Sequence, residues 1–220
     1  MSQSRDVPPA LLHLLLALFT LICFGAIARQ VVGRWPITTF DAQQAQRFHE
    51  YAESHAEVRK TADFLTDLGS GPPRTVVVAA VSLILLAHRQ WRLAVFFAAT
   101  QWLVKDIVAF AKDSFERPRP SFSDIGGWSF PSGHAAGAMA TYGMIAYLVG
   151  LRWPQFRFRW LLIAGLALII IAVGLTRMLL GVHYFTDIIG GYLLGLAYIS
   201  LCVAGIELVR SINRRAHAEL

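Results

Sequence analysis

Five stretches of this chain are long and apolar enough to cross a bilayer, and that feature limits its fold more than any other. A bilayer core of about 30 Å takes about 20 apolar helical residues. Such runs occur at about 10–28, 93–115, 132–151, 160–180 and 187–209. A sixth, Thr75 to Ala87, is wholly apolar apart from Ser82 and becomes long enough if it extends back through the Gly69-Ser70-Gly71-Pro72-Pro73 break to Phe64 or Leu65. The reading is an all-α polytopic membrane protein with six transmembrane helices, forming one domain over 1–220. Composition agrees: 55% hydrophobic against 15% charged residues is too apolar for an ordinary soluble domain and excludes disorder. Cys23 and Cys202 lie in apolar runs nearly the whole chain apart, where thiols act as small hydrophobes, and two cysteines cannot build a cysteine metal site.

The first run ends in Ala26-Ile27-Ala28, a pattern like a secretory cleavage site. Its apolar stretch of about 18 residues exceeds the roughly 7–15 of a signal core, and only Arg5 precedes it. A retained span is expected, with Pro8 and Pro9 suited to its first turn. Orientation follows from the short connections. With both termini cytoplasmic, the inner segments hold Arg5, Arg89, Arg92, Arg152, Arg157, Arg159, Arg210, Arg214 and Arg215, against only Asp6 and Glu219. That excess of basic residues is what the positive-inside rule expects of cytoplasmic loops. The outer connections contain Lys112, Arg117, Arg119 and Arg177.

The hydrophilic stretch from about 29 to 74 forms a long outer loop. Phe48, Tyr51, Val58, Ala62, Leu65 and Leu68 recur at helical spacing within it, which predicts an amphipathic helix on the membrane surface or packed across the spans. A lid over a lipid entrance is the alternative for the same helix.

Charged side chains in or beside spans are expensive and call for a partner or a function. Three clusters stand at the outer ends of helices: Lys112-Asp-Ser-Phe-Glu-Arg-Pro-Arg119-Pro120, Pro131-Ser132-Gly133-His134, and Arg177 with His183 and Asp187. Each alone has a plain explanation, as a helix stop, an N-cap or an ion pair closing a turn. From the chain's residue frequencies, the three spacings are expected by chance roughly 0.01, 0.001 and 0.02 times. All three occur, in order, on one predicted face.

Phosphate chemistry accounts for the residue types. Arginine forks bind phosphate oxygens bidentately and lysine binds them as a point charge, so Lys112, Arg119 and Arg177 make an anion cradle. Ser132 and Gly133 open a helix whose free N–H groups favour an anion. His183 and Asp187 stand one helical turn apart, so the carboxylate can hold one ring nitrogen and leave the other to attack phosphorus. His134 can protonate the leaving oxygen and later activate water. A metal site competes for clustered His and Asp, but there is no His-Glu-x-x-His helix and the surrounding cations would repel a divalent ion; no metal or cofactor is expected.

These residues resemble the type 2 phosphatidic acid phosphatase family, with its motifs Lys-x6-Arg-Pro, Pro-Ser-Gly-His and Ser-Arg-x5-His-x3-Asp. The match runs from Lys112 to Asp187 and departs only at Thr176, where the family usually has Ser. The resemblance implies a metal-independent phosphatase of membrane lipids, with His183 as nucleophile, Asp187 as its orienter and His134 as acid. Vanadium haloperoxidases share the signature, but they are soluble. Phosphatidic acid, phosphatidylglycerol phosphate, undecaprenyl pyrophosphate and lipid A all present a suitable anion. A lipid-to-lipid phosphotransferase and a non-enzymatic anion transporter are the alternatives. The expected setting is a bacterial inner membrane with the site on the outer face, where Phe122, Trp128 and Phe130 flank acyl chains or anchor at the interface. Lys105 and Asp106, deeper in the third span, either pair with another helix or steady the cradle. The net charge of +6 thereby resolves into topology and an anion cradle, with no nucleic acid as partner.

Overall fold

A backbone in lipid must satisfy its own hydrogen bonds, and a helix does so within one segment. The computed structural model describes residues 8–218, and their side chains as far as Ser211; all regular structure among them is helical. The elements are α1 (Pro9–Val32), α2 (Ile37–Ser54), α3 (Ala56–Thr66), a 3-10 turn (Asp67–Gly69), α4 (Gly71–Ala87) and α5 (Trp91–Phe115). Then follow α6 (Gly133–Ala138), a π segment (Met139–Gly143), α7 (Met144–Arg152), α8 (Arg159–Leu179) and α9 (Phe185–Ala218). Arg5, Asp6, Glu219 and the side chains of Arg214, Arg215 and His217 lie outside the described residues.

Among the described residues four helices, α1, α5, α8 and α9, are long and apolar enough to cross a membrane. A fifth results if α3 and α4 count as one span, but they meet at a 50° bend. The extension of the second span back to Phe64 is therefore not straight. Pro72 and Pro73 lack amide protons and fall in the first turn of α4, where that loss costs nothing, so the helix starts afresh at the break. The stretch 133–152 is helical throughout, with the π segment between α6 and α7.

α1 lies along α9 and buries Ala17, Thr20, Phe24, Ala28 and Val31, a stripe at spacings of three and four, while Leu12, Phe19 and Ile22 face outward. α9 also runs against α6. A Cβ on Gly191 would come within 2.6 Å of the Ser132 carbonyl oxygen, so the two backbones approach as closely as they do only because that position is glycine. This contact fixes the start of α6 against the start of α9, which are the two places where the second and third motifs lie.

α2 and α3 pack against α8. The expected apolar stripe is partly right: Ala62 is buried and Phe48, Val58, Leu65 and Leu68 are half-buried, but Tyr51 is 52% exposed. Its ring stacks on His55, the residue at which α2 breaks from α3, so the stripe does not run through the break. In α2 the buried positions are Asp41, Ala45 and Ala52.

Candidate active site

Two helix ends aim the reactive side chains. α8 closes in a Schellman motif: the Gly181 N–H donates to the Met178 carbonyl at 2.9 Å and the Val182 N–H to the Arg177 carbonyl at 3.1 Å. Gly181 has φ +71, which an L side chain rarely adopts, and the turn delivers His183 to the interior. α5 ends at Glu116 in the left-handed region, φ 46, which turns the chain sharply so that the next residue, Arg117, points inward. The loop that follows folds back over the end of α5: the Ser129 N–H donates to the Arg117 carbonyl at 2.7 Å, and Lys112 Nζ donates to the Ser129 carbonyl at 3.1 Å and to that of Trp128.

His183 is 2% exposed. Its Nδ1 lies 3.2 Å from Asp187 Oδ2, and its Nε2 lies 3.3 Å from Arg119 Nη1. A guanidinium only donates, so Nε2 carries the lone pair and Nδ1 the proton. Burial pushes the imidazole down to about 4; Lys112 and Arg119 add to the fall and Asp187 opposes it. The ring is thus neutral at ordinary pH, with a nucleophilic nitrogen facing a cation. Arg119 also donates to the Val182 carbonyl at 2.7 Å, and burial lowers its pKa.

Asp187 is fully buried and accepts from the Tyr184 N–H at 3.0 Å besides His183. Its backbone carbonyl accepts the Ser132 N–H at 2.9 Å, which ties the second motif directly to the third. Ser132 caps α6, its Oγ accepting from the Ala135 N–H at 3.4 Å. His134, on the first turn of α6, has Arg177, Arg74 and Arg119 as cationic neighbours, with His183 also nearby. Arg177 is buried and donates from Nη1 to Thr66 Oγ1 at 2.9 Å, while its buried Nε has no protein partner. The structure thus gathers Lys112, Arg119, Ser132, Gly133, His134, Arg177, His183 and Asp187 around one place. Among the described residues no three His, Cys, Asp or Glu side chains converge as metal ligands.

Residues 89–210 match the family model described as the PAP2 superfamily, over more than half of the chain. The chain belongs to the PAP2 superfamily. It is 34% identical over 110 residues to phosphatidylglycerophosphatase B of Bacillus subtilis (strain 168), a match covering 47% of this chain and 53% of that protein. The chain thus spans about half the length of the curated relative it matches. Its fold resembles the crystal structure of the first transmembrane PAP2 type phosphatidylglycerolphosphate phosphatase from Bacillus subtilis, with a TM-score of 0.77 at 22% identity, over 88% of this chain and 96% of that one. With its own apolar helices, this chain is an all-helical, multi-pass membrane protein.

Around this cluster the structure adds residues that the motif spacing does not single out. Arg117, 7% exposed, donates from Nη1 to Asp187 Oδ1 at 2.6 Å and to Thr186 Oγ1 at 2.8 Å, and from Nη2 to Asp41 Oδ2 at 2.7 Å. Its guanidinium also lies 4.1 Å from the centre of the Tyr184 ring. Asp41, fully buried, accepts from the Thr186 N–H at 3.2 Å and from the Thr186 hydroxyl. A chain of buried charge thus runs from α2 through Arg117 and Asp187 to His183. A signal for Asp41 was present: it opens the stripe Asp41, Ala45, Phe48, Ala52, an acid in line with apolar positions. Phe130 differs from expectation. It is fully buried, stacked on Phe24 with ring centres 5.4 Å apart and edge-on to Phe115 at 5.3 Å, so it is core and not lipid contact. Phe122 stacks on His49 at 4.4 Å, and Trp128 is exposed. The Thr176 hydroxyl donates to the Val173 carbonyl of its own helix at 2.7 Å.

Proposed function

We propose that this protein hydrolyses a lipid phosphate monoester or pyrophosphate at the outer face of the membrane through a phosphohistidine on His183. The observation that carries the reading is the buried, neutral His183, held through Nδ1 by Asp187 with Nε2 turned toward Arg119. That is the arrangement a nitrogen nucleophile needs. Lys112, Arg119 and Arg177 bind the phosphoryl oxygens, with Arg177 Nε still free to donate, and the Gly133 N–H and the Ser132 hydroxyl proton add donors at the start of α6.

Nε2 attacks phosphorus as the bond to the lipid oxygen breaks, and the departing oxygen takes its proton from His134. Water then attacks the phosphohistidine, His134 accepts the water's proton, and the P–N bond breaks to release phosphate. The family and the relative named a phosphatidylglycerophosphatase support phosphoester chemistry. Phosphatidic acid, phosphatidylglycerol phosphate, undecaprenyl pyrophosphate and lipid A are the candidate substrates. Counting the bent α3–α4 pair and the segmented 133–152 stretch as spans gives six; the basic inner loops support cytoplasmic termini, and the resemblance to the Bacillus subtilis relative supports a bacterial inner membrane.

The test is phosphate release from these four lipids at matched detergent concentration by the purified protein and its His183→Ala variant. One lipid should be turned over well above the rest, and the variant should be inactive while eluting as a folded monodisperse species. Full turnover by the variant would sink the mechanism. Labelled phosphate passing to an acceptor lipid instead of water would make the protein a phosphotransferase, and phosphate binding without turnover of any lipid would favour an anion carrier.

A further inference from the structure

Two cations near the site play no part in the mechanism above. Lys105 is exposed on α5, seven residues before Lys112 and so about 10 Å deeper along the helix. Arg74 is half-buried in the first turn of α4, and its guanidinium lies over Gly137 of α6, where a Cβ would overlap Nη1. Among the described residues neither forms an ion pair. A cation at membrane depth without a counter-ion is expensive, and its retention calls for a ligand.

Both line two adjoining cavities. The inner one, about 280 Å³, has His134, Gly133 and Gly137 on its wall together with Arg74 and Lys105, and no carboxylate. The outer one, about 530 Å³, lies between α4 and α5; it shares Arg74 and Lys105 and adds Gln101, Trp102 and Asp106. From His134 outward the order is therefore reacting group, two cations, then a mixed polar and apolar groove whose Trp102 is exposed on the lipid-facing side of α5. Lipids with two phosphates have the same order: the terminal phosphate, the second phosphate, then the tail.

We propose that Arg74 and Lys105 form a second anion-binding subsite that takes the inner phosphate of a lipid headgroup carrying two. This rests on the hydrolase reading of the neighbouring site. The arginine presents a fork and the lysine a mobile point charge, a combination that suits a phosphate of variable distance from the first. Gly137 is the residue that leaves room for the fork. A lipid with one phosphate places nothing against these cations, so the subsite selects between substrates.

The test compares kcat/KM for phosphatidic acid, with one phosphate, against phosphatidylglycerol phosphate, with two separated by glycerol, and undecaprenyl pyrophosphate, with two adjacent. In Arg74→Gln and in Lys105→Gln the ratio of a two-phosphate lipid to phosphatidic acid should fall at least about tenfold, the loss expected for one charge-assisted contact. Gly137→Ala, which crowds the guanidinium without removing it, should lower the same ratio. Loss confined to one two-phosphate lipid identifies the spacing the subsite fits. An unaltered ratio in all three variants overturns the proposal, whatever happens to absolute activity.

A calorimetric arm needs no turnover. Methylenediphosphonate or 1,3-propanediphosphonate should bind the wild-type protein more tightly than methylphosphonate, and Arg74→Gln with Lys105→Gln should erase the difference. That preference without hydrolysis of any lipid would remove the hydrolase reading and keep the subsite. Hydrolysis with no preference in either arm would do the reverse.

Discussion

Arg117 offers the sharpest test of the buried charge chain. It stands between two fully buried carboxylates, at 2.7 Å from Asp41 and 2.6 Å from Asp187. With charge centres about 4 Å apart and an effective dielectric of about 20, each pair is worth about 4 kcal/mol of attraction. Desolvation costs several kcal/mol per ion, so the intact network contributes little net stability, but removing its cation strands two buried charges at a cost of about 3–5 kcal/mol. Arg117→Met should therefore unfold readily, and Asp41→Asn in the same chain should recover part of the loss by deleting one stranded charge. Arg117→Lys keeps the charge but replaces the fork with a single point, which cannot hold both carboxylates in the present geometry.

In that variant Asp187 loses its anchor and His183 its fixed ring orientation. The expected result is a kcat about 10- to 100-fold lower, the scale seen when an outer partner of an orienting group is lost, with KM little altered. Melting in detergent and phosphate release measure the two effects. A 15N spectrum of His183 separates positioning from mere stability, since a looser Asp187 should reduce the share of the Nδ1–H tautomer. Full kcat in Arg117→Lys, or a lower kcat with the tautomer unaltered, would refute the reasoning.

Other consequences follow from the same geometry. Asp187→Asn should lower kcat by about 10⁴-fold, as loss of the orienting acid does in a catalytic triad, in a rapid-mix assay with a soluble aryl phosphate. His134→Gln should hinder a lipid alkoxide leaving group more than an aryl phosphate, whose leaving oxygen needs no proton; with the aryl substrate a burst of phenol followed by slow turnover is expected, because water activation remains impaired. Burial holds the His183 pKa near 4, so its 15N signals should not titrate between pH 8 and 5.5, and a midpoint near 6.5 would contradict the structure. Between about 6.5 and 4 the unfolded chain takes up a proton that folded His183 refuses, so this group makes stability decline as pH falls through that window.

The apolar runs and the motif spacings were legible because both are local properties of sequence. Bilayer thickness sets the length of a span, and one helical turn sets the distance from His183 to Asp187. What escaped is what joins distant segments. Asp41 meets Arg117 across 76 positions and Thr186 across 145, and no periodicity links an acid in a polar helix to an arginine in a loop. Arg117 itself was masked by Arg119, because a motif that counts one arginine gives no reason to ask what a second, two positions away, is for. Phe130 was misplaced for a related reason. Next to the motif it looked interfacial, whereas its packing partner Phe24 lies on α1, and only the tertiary fold brings that helix beneath the site.

These long-range contacts redraw the boundary of the functional unit. The family match begins at residue 89, yet Asp41 of α2 anchors Arg117, Thr66 of α3 accepts from Arg177, and Arg74 of α4 stands beside His134. The first and third motif regions are thus braced by residues from the segment before the matched region, and the second has a cation from it close by. α2 and α3 are therefore structural parts of the site, and a lid that swings free cannot be the role of α2. Opening it would pull Asp41 away from Arg117 and leave a buried guanidinium to balance Asp187 alone, shifting the charge around His183 at the moment when substrate must enter. Access to the site is better sought where no buried ion pair has to break, along the α4–α5 groove.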